Sequence, residues 1–333
     1  MTRPGLARGL GLALLFALLA CVVNLFVGRA RLPVGDVLAA LFGGDVSPTV
    51  DAIVHLDRVP RIALGLAVGA ALALAGTLFQ ALLRNPLADP YIVGVGPGAL
   101  LGAAVAGALG FVGRTVAGLS AAAAGAFAGA VLAALLVLGV AGRRGRDASA
   151  RLLLAGVAVG SFVTAVATWA LYVENESWQD AVRWLLGSLA YADGARIRLA
   201  ALATGSLALL AWLRARDLDA LALGEEAARL TGVDVTRTVF GLSAAACLLV
   251  AAAVATAGLV GFVGLVVPHA ARRLVGPGHR RLLPVAALLG GGLLVAADAI
   301  ARSARTEVPV GVVTALLGAP VFAFLLRRQS SSR

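Results

Sequence analysis

The 333-residue sequence contains no lysine: all 28 of its basic residues are arginine. A phosphate-gripping P-loop sets a lysine on the phosphates, so a nucleotide-hydrolysing site of that kind is excluded. Only two cysteines occur, Cys21 and Cys247, each inside an apolar run, which leaves no disulfide framework and no CxxC site. Both read as small buried apolar residues. The three histidines, His55, His269 and His279, fall on separate segments without HExxH spacing, so neither an intrinsic metal nor an intrinsic cofactor is expected. Acidic residues number 17, and Asp298 alone falls within a long apolar run. That excludes the paired carboxylates of an intramembrane aspartyl protease and leaves a proton relay without its carriers.

What is abundant is apolar. Hydrophobic residues make up 60% of the chain and charged ones 14%, with a mean hydropathy of +0.95. Apolar runs longer than about 18 residues recur from end to end, the mark of a chain that lives in a bilayer. At about 20 residues per span plus short connections, the chain holds about ten transmembrane helices. The expected fold is therefore an all-α polytopic membrane protein, one transmembrane domain over residues 1–333. The net charge of +11 then reports orientation, and no nucleic-acid partner is expected.

Spans are expected near 6–27, 62–83, 91–112, 116–140, 152–173, 197–213, 239–255, 258–275, 282–300 and 308–326. The first has Arg3 and Arg8 ahead of it and LLAC before Val22, as in a cleaved leader, but its apolar run continues through Val27, far enough to span. It is expected to remain as a helix. Arginines crowd the segments around 84, 143–151, 214–237, 272–281 and 327–333. The positive-inside rule puts those segments and both termini in the cytoplasm, and puts Arg58, Arg61 and Arg302 together outside. Gly65, Gly69, Ala73 and Gly76, and again Gly94, Gly98 and Gly102, form small-residue seams where helices can approach closely. PVGDVLAALFGG (33–44) reads as a short surface helix, and Trp178 and Trp184 suit the headgroup level.

Few polar groups interrupt the spans. Ser161, Thr164 and Thr168 share one helical face and either line a pathway or bond back to their own helix. Gln80, alone late in the second span, suits packing or lining equally. Asp298 and Arg302, four apart, read as an ion pair near the interface. The largest exception is residues 214–237, where Arg214, Arg216, Asp217, Asp219, Glu225, Glu226, Arg229, Asp234 and Arg237 crowd between apolar runs. Within it Leu223, Ala227 and Leu230 keep helical spacing, giving a short helix one oily stripe. A helix so short is marginal alone, so the stripe is expected to dock on a partner.

Several stretches taken in order carry a resemblance. They are LDRVPR (56–61), QALLRNPLADPYIVGVGPGALLGA (80–103), WLLGSL (184–189) and LALGEEAARLTG (221–232). GLVGFVGLVVPHAARRLVGPGHRRLLPVAALLGG (258–291), ADAIAR (297–302) and EVPVGVVTALLGAPVF (307–322) complete the set. The chain resembles the FecCD-type permease subunits of type II ABC importers, which take up cobalamin, haem or iron-siderophores. The resemblance implies a multi-pass protein of the bacterial inner membrane that pairs as a homodimer. It implies two ATPase subunits, holding ATP and Mg, on the cytoplasmic side and one periplasmic binding protein outside.

On that resemblance Leu221, Leu223, Gly224, Glu225, Glu226, Ala227, Arg229 and Leu230 belong to the coupling helices that press into the ATPase, with Glu225 and Glu226 opening the second short helix and Gly232 ending it. Arg58, Arg61 and Arg302 receive acidic residues of the binding protein. Ser161, Thr164 and Thr168 lie on the span that lines the pathway. The segment between Arg302 and Glu307 is shorter than in many such permeases. The rival readings are a self-sufficient secondary transporter or channel, and a membrane scaffold for other proteins.

Overall fold

The computed structural model describes residues 5–111, 114–116, 118–142, 148–173, 186–304 and 306–330. The segment with Trp178 and Trp184 lies outside the described residues. The chain opens with α1 (Leu6–Phe26), then the surface helix α2 (Val34–Leu41), as expected, and α3 (Pro48–Ala52). Ser47 caps α3, its hydroxyl accepting from the Val50 N–H, with Pro48 following at the first helical position. A π-helical turn, Ile53–Arg58, carries the chain without interruption into α4 (Val59–Leu82). LDRVPR is thus helical, where a polar connection was expected. Pro60 does not break it: it follows directly on the π-helical turn, whose wider winding takes up a residue that lacks an N–H.

Next come α5 (Val95–Ala108), a small hairpin of β1 (Thr115–Val116) and β2 (Leu119–Ser120), α6 (Ala121–Ala141), α7 (Ala148–Val173) and α8 (Gly194–Leu213). The hairpin pairs Thr115 with Ser120 and Val116 with Leu119, antiparallel. Two short helices follow, α9 (Ala215–Ala222) and α10 (Glu225–Leu230). The chain closes with α11 (Val235–Ala257), α12 (Val263–Val275), α13 (His279–Ser303) and α14 (Val310–Ser330).

Each expected span has its helix, but the count of ten is approximate, since seven described helices are long and apolar enough to cross a bilayer. For two of the other three, α5 and α12, the shortfall has a backbone cause. α5 has 14 residues and α12 has 13, about 20 Å each, against a hydrocarbon core of about 30 Å. α5 starts after Gly94 in the left-handed region (φ 69°), and α12 starts after Phe262 (φ 65°), a non-glycine residue held there. The non-helical backbone at 258–262 is tied down inside the protein. The Tyr91 hydroxyl accepts from the Val260 N–H at 3.1 Å and donates to the Val260 carbonyl at 3.3 Å. Irregular backbone is tolerated at membrane depth only when protein satisfies it in this way.

The centre of the bundle is α4 and α11, with 89% and 78% of their apolar stretches buried, while α1 and α8 have 28% and 17% buried and present apolar flanks outward. Cys247 of α11 is buried, but Cys21 of α1 is half-buried, because α1 packs along one side only. The glycine seams do what their spacing predicts. A Cβ on Gly69 would strike the Gly290 carbonyl, one on Gly76 the Gly264 carbonyl, and one on Gly102 the Gly125 carbonyl. Backbone meets backbone at these points, which leaves no flexible side chain to give way. Gly76→Ala is therefore expected to lower the melting temperature and yield of the purified protein, costing at least about 1–3 kcal/mol. Gly241→Ala, where the added methyl meets nothing within 4 Å, is expected to match the wild type in the same assay.

Candidate functional site

Three polar regions stand out, at the two ends of the bundle and along one face. At the outer end Arg58, Arg61 and Arg302 come together, as the sequence predicts, but they do not stand free. Their exposures are 1%, 6% and 4%. The physical reason is that a charge at such a depth must be paired, and carboxylates from three segments reach it. Arg61 donates to Asp57 at 2.6 Å and takes Glu307 with two nitrogens, at 2.6 and 3.4 Å, with Asp298 at 3.5 Å. The short return from Arg302 to Glu307 brings that carboxylate back over the cluster. Arg302 pairs with Asp298 at 3.1 Å, the expected i,i+4 pair, and with Asp57 at 3.6 Å. Arg58 donates to the carbonyls of Leu25 and Ala30.

Asn24, fully buried on α1, knits the cluster. Its amide donates to the Val295 carbonyl at 2.8 Å and to Asp298 at 3.1 Å, and its oxygens accept from Arg302. Sequence reasoning passed over Asn24, although a lone amide in an apolar span was the available signal. A cavity of about 140 Å³ opens onto this cluster, lined by Arg29, Asp57, Arg58, Arg61, Arg302 and Glu307 among others.

On the flank of α7, Ser161 and Thr164 border a groove of about 510 Å³ with Tyr91, Gly94, Pro97 and Gly160. Thr164 and Thr168 also bond back, to the carbonyls of Gly160 at 2.7 Å and Thr164 at 2.8 Å. Back-bonding, one of the two alternatives left open for these hydroxyls, is thus what the threonines do, while Ser161 and Thr164 also face the groove. Gln80 packs rather than lines: it is 3% exposed, accepts from Arg272 at 2.6 Å and faces the Gly264 and Leu265 carbonyls.

At the inner end α9 and α10 form the polar hairpin. Gly224 (φ 124°) turns the chain between them, and Glu225 and Glu226 sit in the first turn of α10, at the positive end of its dipole. Gly232 (φ 84°) ends α10, as expected. Its N–H reaches the Arg229 carbonyl at 3.0 Å and the Val233 N–H reaches Ala228 at 3.1 Å, the paired bonds of a Schellman cap. Arg229 lies 3.9 Å from Glu225. Leu223 and Leu230 are 81% and 89% exposed, and Ala227 is half-buried between them. Leu223 caps α9 ahead of the Gly224 turn, so it does not share a helix with Ala227 and Leu230, and Leu221 departs from the expected stripe altogether. With Ala215 and Leu218 it forms the buried face of α9, packed on α4 and α13, and is 3% exposed.

The hairpin is fastened to α13 by Asp219, whose carboxylate accepts from the His279 backbone N–H at 2.9 Å and meets the His279 ring Nδ1 at 2.6 Å. Partial burial pushes the Asp219 carboxyl up, but the two His279 hydrogen bonds and its charge more than offset this, holding it below the usual carboxylate range. Nothing local in the sequence marks this pair, 60 residues apart.

Fold and sites together describe a multi-pass helical membrane protein with a buried ion-paired cluster at one end and an exposed polar hairpin at the other. The chain belongs to the FecCD transport family, whose family model matches residues 14–328. It is 48% identical over 287 residues to a cobalamin import system permease protein of Halobacterium salinarum, covering 85% of this chain and 75% of that one. It is 39% identical over 291 residues to a hemin transport system permease protein of Yersinia pestis, covering 86% and 87%. Among solved structures it is similar to a metal-chelate type ABC transporter in an inward-facing conformation, with TM-score 0.82, 28% identity, and 97% and 99% of the two chains covered. The protein is thus an ABC-type permease of the inner membrane.

Proposed function

We propose that the whole chain, as one transmembrane domain, is the membrane subunit of an ATP-driven importer for a bulky metal chelate: cobalamin, haem or a ferric siderophore. It works as a homodimer by alternating access. Two separate ATPase subunits, holding ATP and Mg, press on the inner hairpin, and a periplasmic binding protein delivers the chelate outside. The observation that carries this reading is the pair of leucines, Leu223 and Leu230, held almost wholly exposed on a capped hairpin rich in charge. Two such side chains on one polar hairpin, Leu223 at its turn and Leu230 at the end of α10, call for an apolar surface on a partner. The names of the relatives support the chelate class.

At the outer end, Arg58, Arg61 and Arg302 receive the binding protein's carboxylates. Three arginines face Asp57, Asp298 and Glu307 there, so an incoming carboxylate exchanges with the more exposed of these, Asp57 and Glu307, whose side chains are 41% and 31% exposed. An arginine fork accepts such an exchange without changing its own geometry. The groove bordered by Ser161 and Thr164, with Thr168 one turn on, belongs to the pathway along the dimer axis.

Reconstitution in liposomes tests the reading, with cyanocobalamin, haemin and a ferric hydroxamate siderophore as probes. Uptake of one probe is expected only when the chain is combined with its ATPase and binding protein, at least tenfold above the chain alone. Equal uptake by the chain alone would instead establish a self-sufficient transporter or channel.

A further inference from the structure

The two polar ends share one helix. The first residue of α13, His279, is 3% exposed and held by Asp219 of the hairpin. Its last turns carry Asp298 and Arg302, which hold Arg61 of α4 and Asn24 of α1. From His279 to Arg302 the helix rises about 35 Å. Between them it is locked sideways: Gly290 abuts the Gly69 carbonyl, a Cβ on Gly291 would lie 2.9 Å from the Leu66 carbonyl, and one on Gly292 would press on Phe16.

The inner end of α13 is built differently from this rigid length. Pro284 lies inside the helix and has no N–H, so the carbonyl four residues back, on Arg280, loses its helical donor. Trp212 supplies one: its indole Nε1–H donates to the Arg280 carbonyl at 3.2 Å, while the Arg280 guanidinium lies 4.7 Å over the Trp212 ring. Trp212 is in the last turn of α8, the helix that leads into the hairpin. The hairpin and its lead-in therefore both grip the first turn of α13, on the near side of its one broken backbone bond.

We infer that α13 is the strut linking the coupling hairpin to the outer arginine cluster, with Asp219 and Trp212 as the positioning residues that fasten the hairpin to it. Motion of the hairpin is passed to Asp298 and Arg302, and exchange of carboxylates at the outer cluster is passed back to the ATPase. This rests on the importer reading above.

The test uses the full complex in liposomes and measures ATP hydrolysis with and without the binding protein loaded with whichever probe supports uptake. Asp219→Asn keeps an acceptor for the His279 N–H but loses the charge. It is expected to co-purify with the ATPase as wild type does, while stimulation by the loaded binding protein falls at least fivefold. Asp219→Glu restores stimulation, and Trp212→Phe, which keeps the ring but not the N–H, lowers it at least twofold. Arg302→Gln breaks the outer end while leaving Asp298 paired with Arg61 and Asn24. If one strut carries the signal, Asp219→Asn adds nothing further to the loss in Arg302→Gln. Independent sites this far apart multiply their losses. Full stimulation in Asp219→Asn, a loss that Asp219→Glu does not restore, or multiplied losses in the double variant would each overturn the strut. Failure of the wild-type chain to assemble with the ATPase would overturn the importer reading instead.

Discussion

Aspartate at both Leu223 and Leu230 is expected to abolish uptake and ATPase association while leaving the permease folded in the membrane. Both side chains stand clear of the rest of the protein, at 81% and 89% exposure, so replacing them removes no internal contact of consequence. A surface change of that kind alters stability by no more than about 0.5 kcal/mol. On docking, each leucine is worth about 1.5–3 kcal/mol when fully buried. Losing both, and desolvating two carboxylates in their place, weakens the contact by at least about a hundredfold. Co-purification of the ATPase, uptake and the melting temperature are the three measurements. Retained association in the double variant would show that the oily stripe is not the docked surface. Leu221→Asp is the matched contrast: it puts a charge into the packed face of α9, and is expected to lower the melting temperature of the permease itself.

The legible part of this protein was what repeats along a helix. Small residues four apart announced the seams at Gly69 and Gly102, and the i,i+4 spacing announced the pair of Asp298 with Arg302. Apolar length announced the bilayer, and Gly232 announced the end of α10. Periodicity is a local signal, and what it could not carry is long-range. Arg61 looked like a free arginine at a membrane border because two of its partners, Asp298 and Glu307, are far along the chain. Leu221 looked like part of the oily stripe because the turn at Gly224 separates the faces of α9 and α10, and a single helical register cannot show that. Phe262 gave no warning of its left-handed backbone, so α12 was expected to be longer than it is. The grip of Asp219 and Trp212 on α13 was invisible for the same reason: it joins residues brought near only by the bundle.

The burial of the outer cluster leads to the second large effect. Asp298→Ala removes a carboxylate that is 2% exposed and shared by Arg61, Arg302 and Asn24. Breaking a buried pair by deleting one partner costs about 3–5 kcal/mol, because the remaining charge keeps its desolvation penalty. The lower end of that range applies here, since Asp57 still faces Arg302 at 3.6 Å and Glu307 still holds Arg61. The expected result is a fall of several degrees in melting temperature in detergent. The decisive comparison is with the double variant Asp298→Leu, Arg302→Met, which replaces the pair with apolar side chains of similar volume. Such a replacement leaves no uncompensated charge on α13 and is often neutral. The double variant is therefore expected to melt above Asp298→Ala although it removes one more charged group. A double variant that melts lower than the single one would mean that Arg302 contributes through its bonds to Asn24, and that the pair with Asp298 is incidental. The ordering of the two melting temperatures thus separates a cluster held together by charge balance from one held together by the amide of α1.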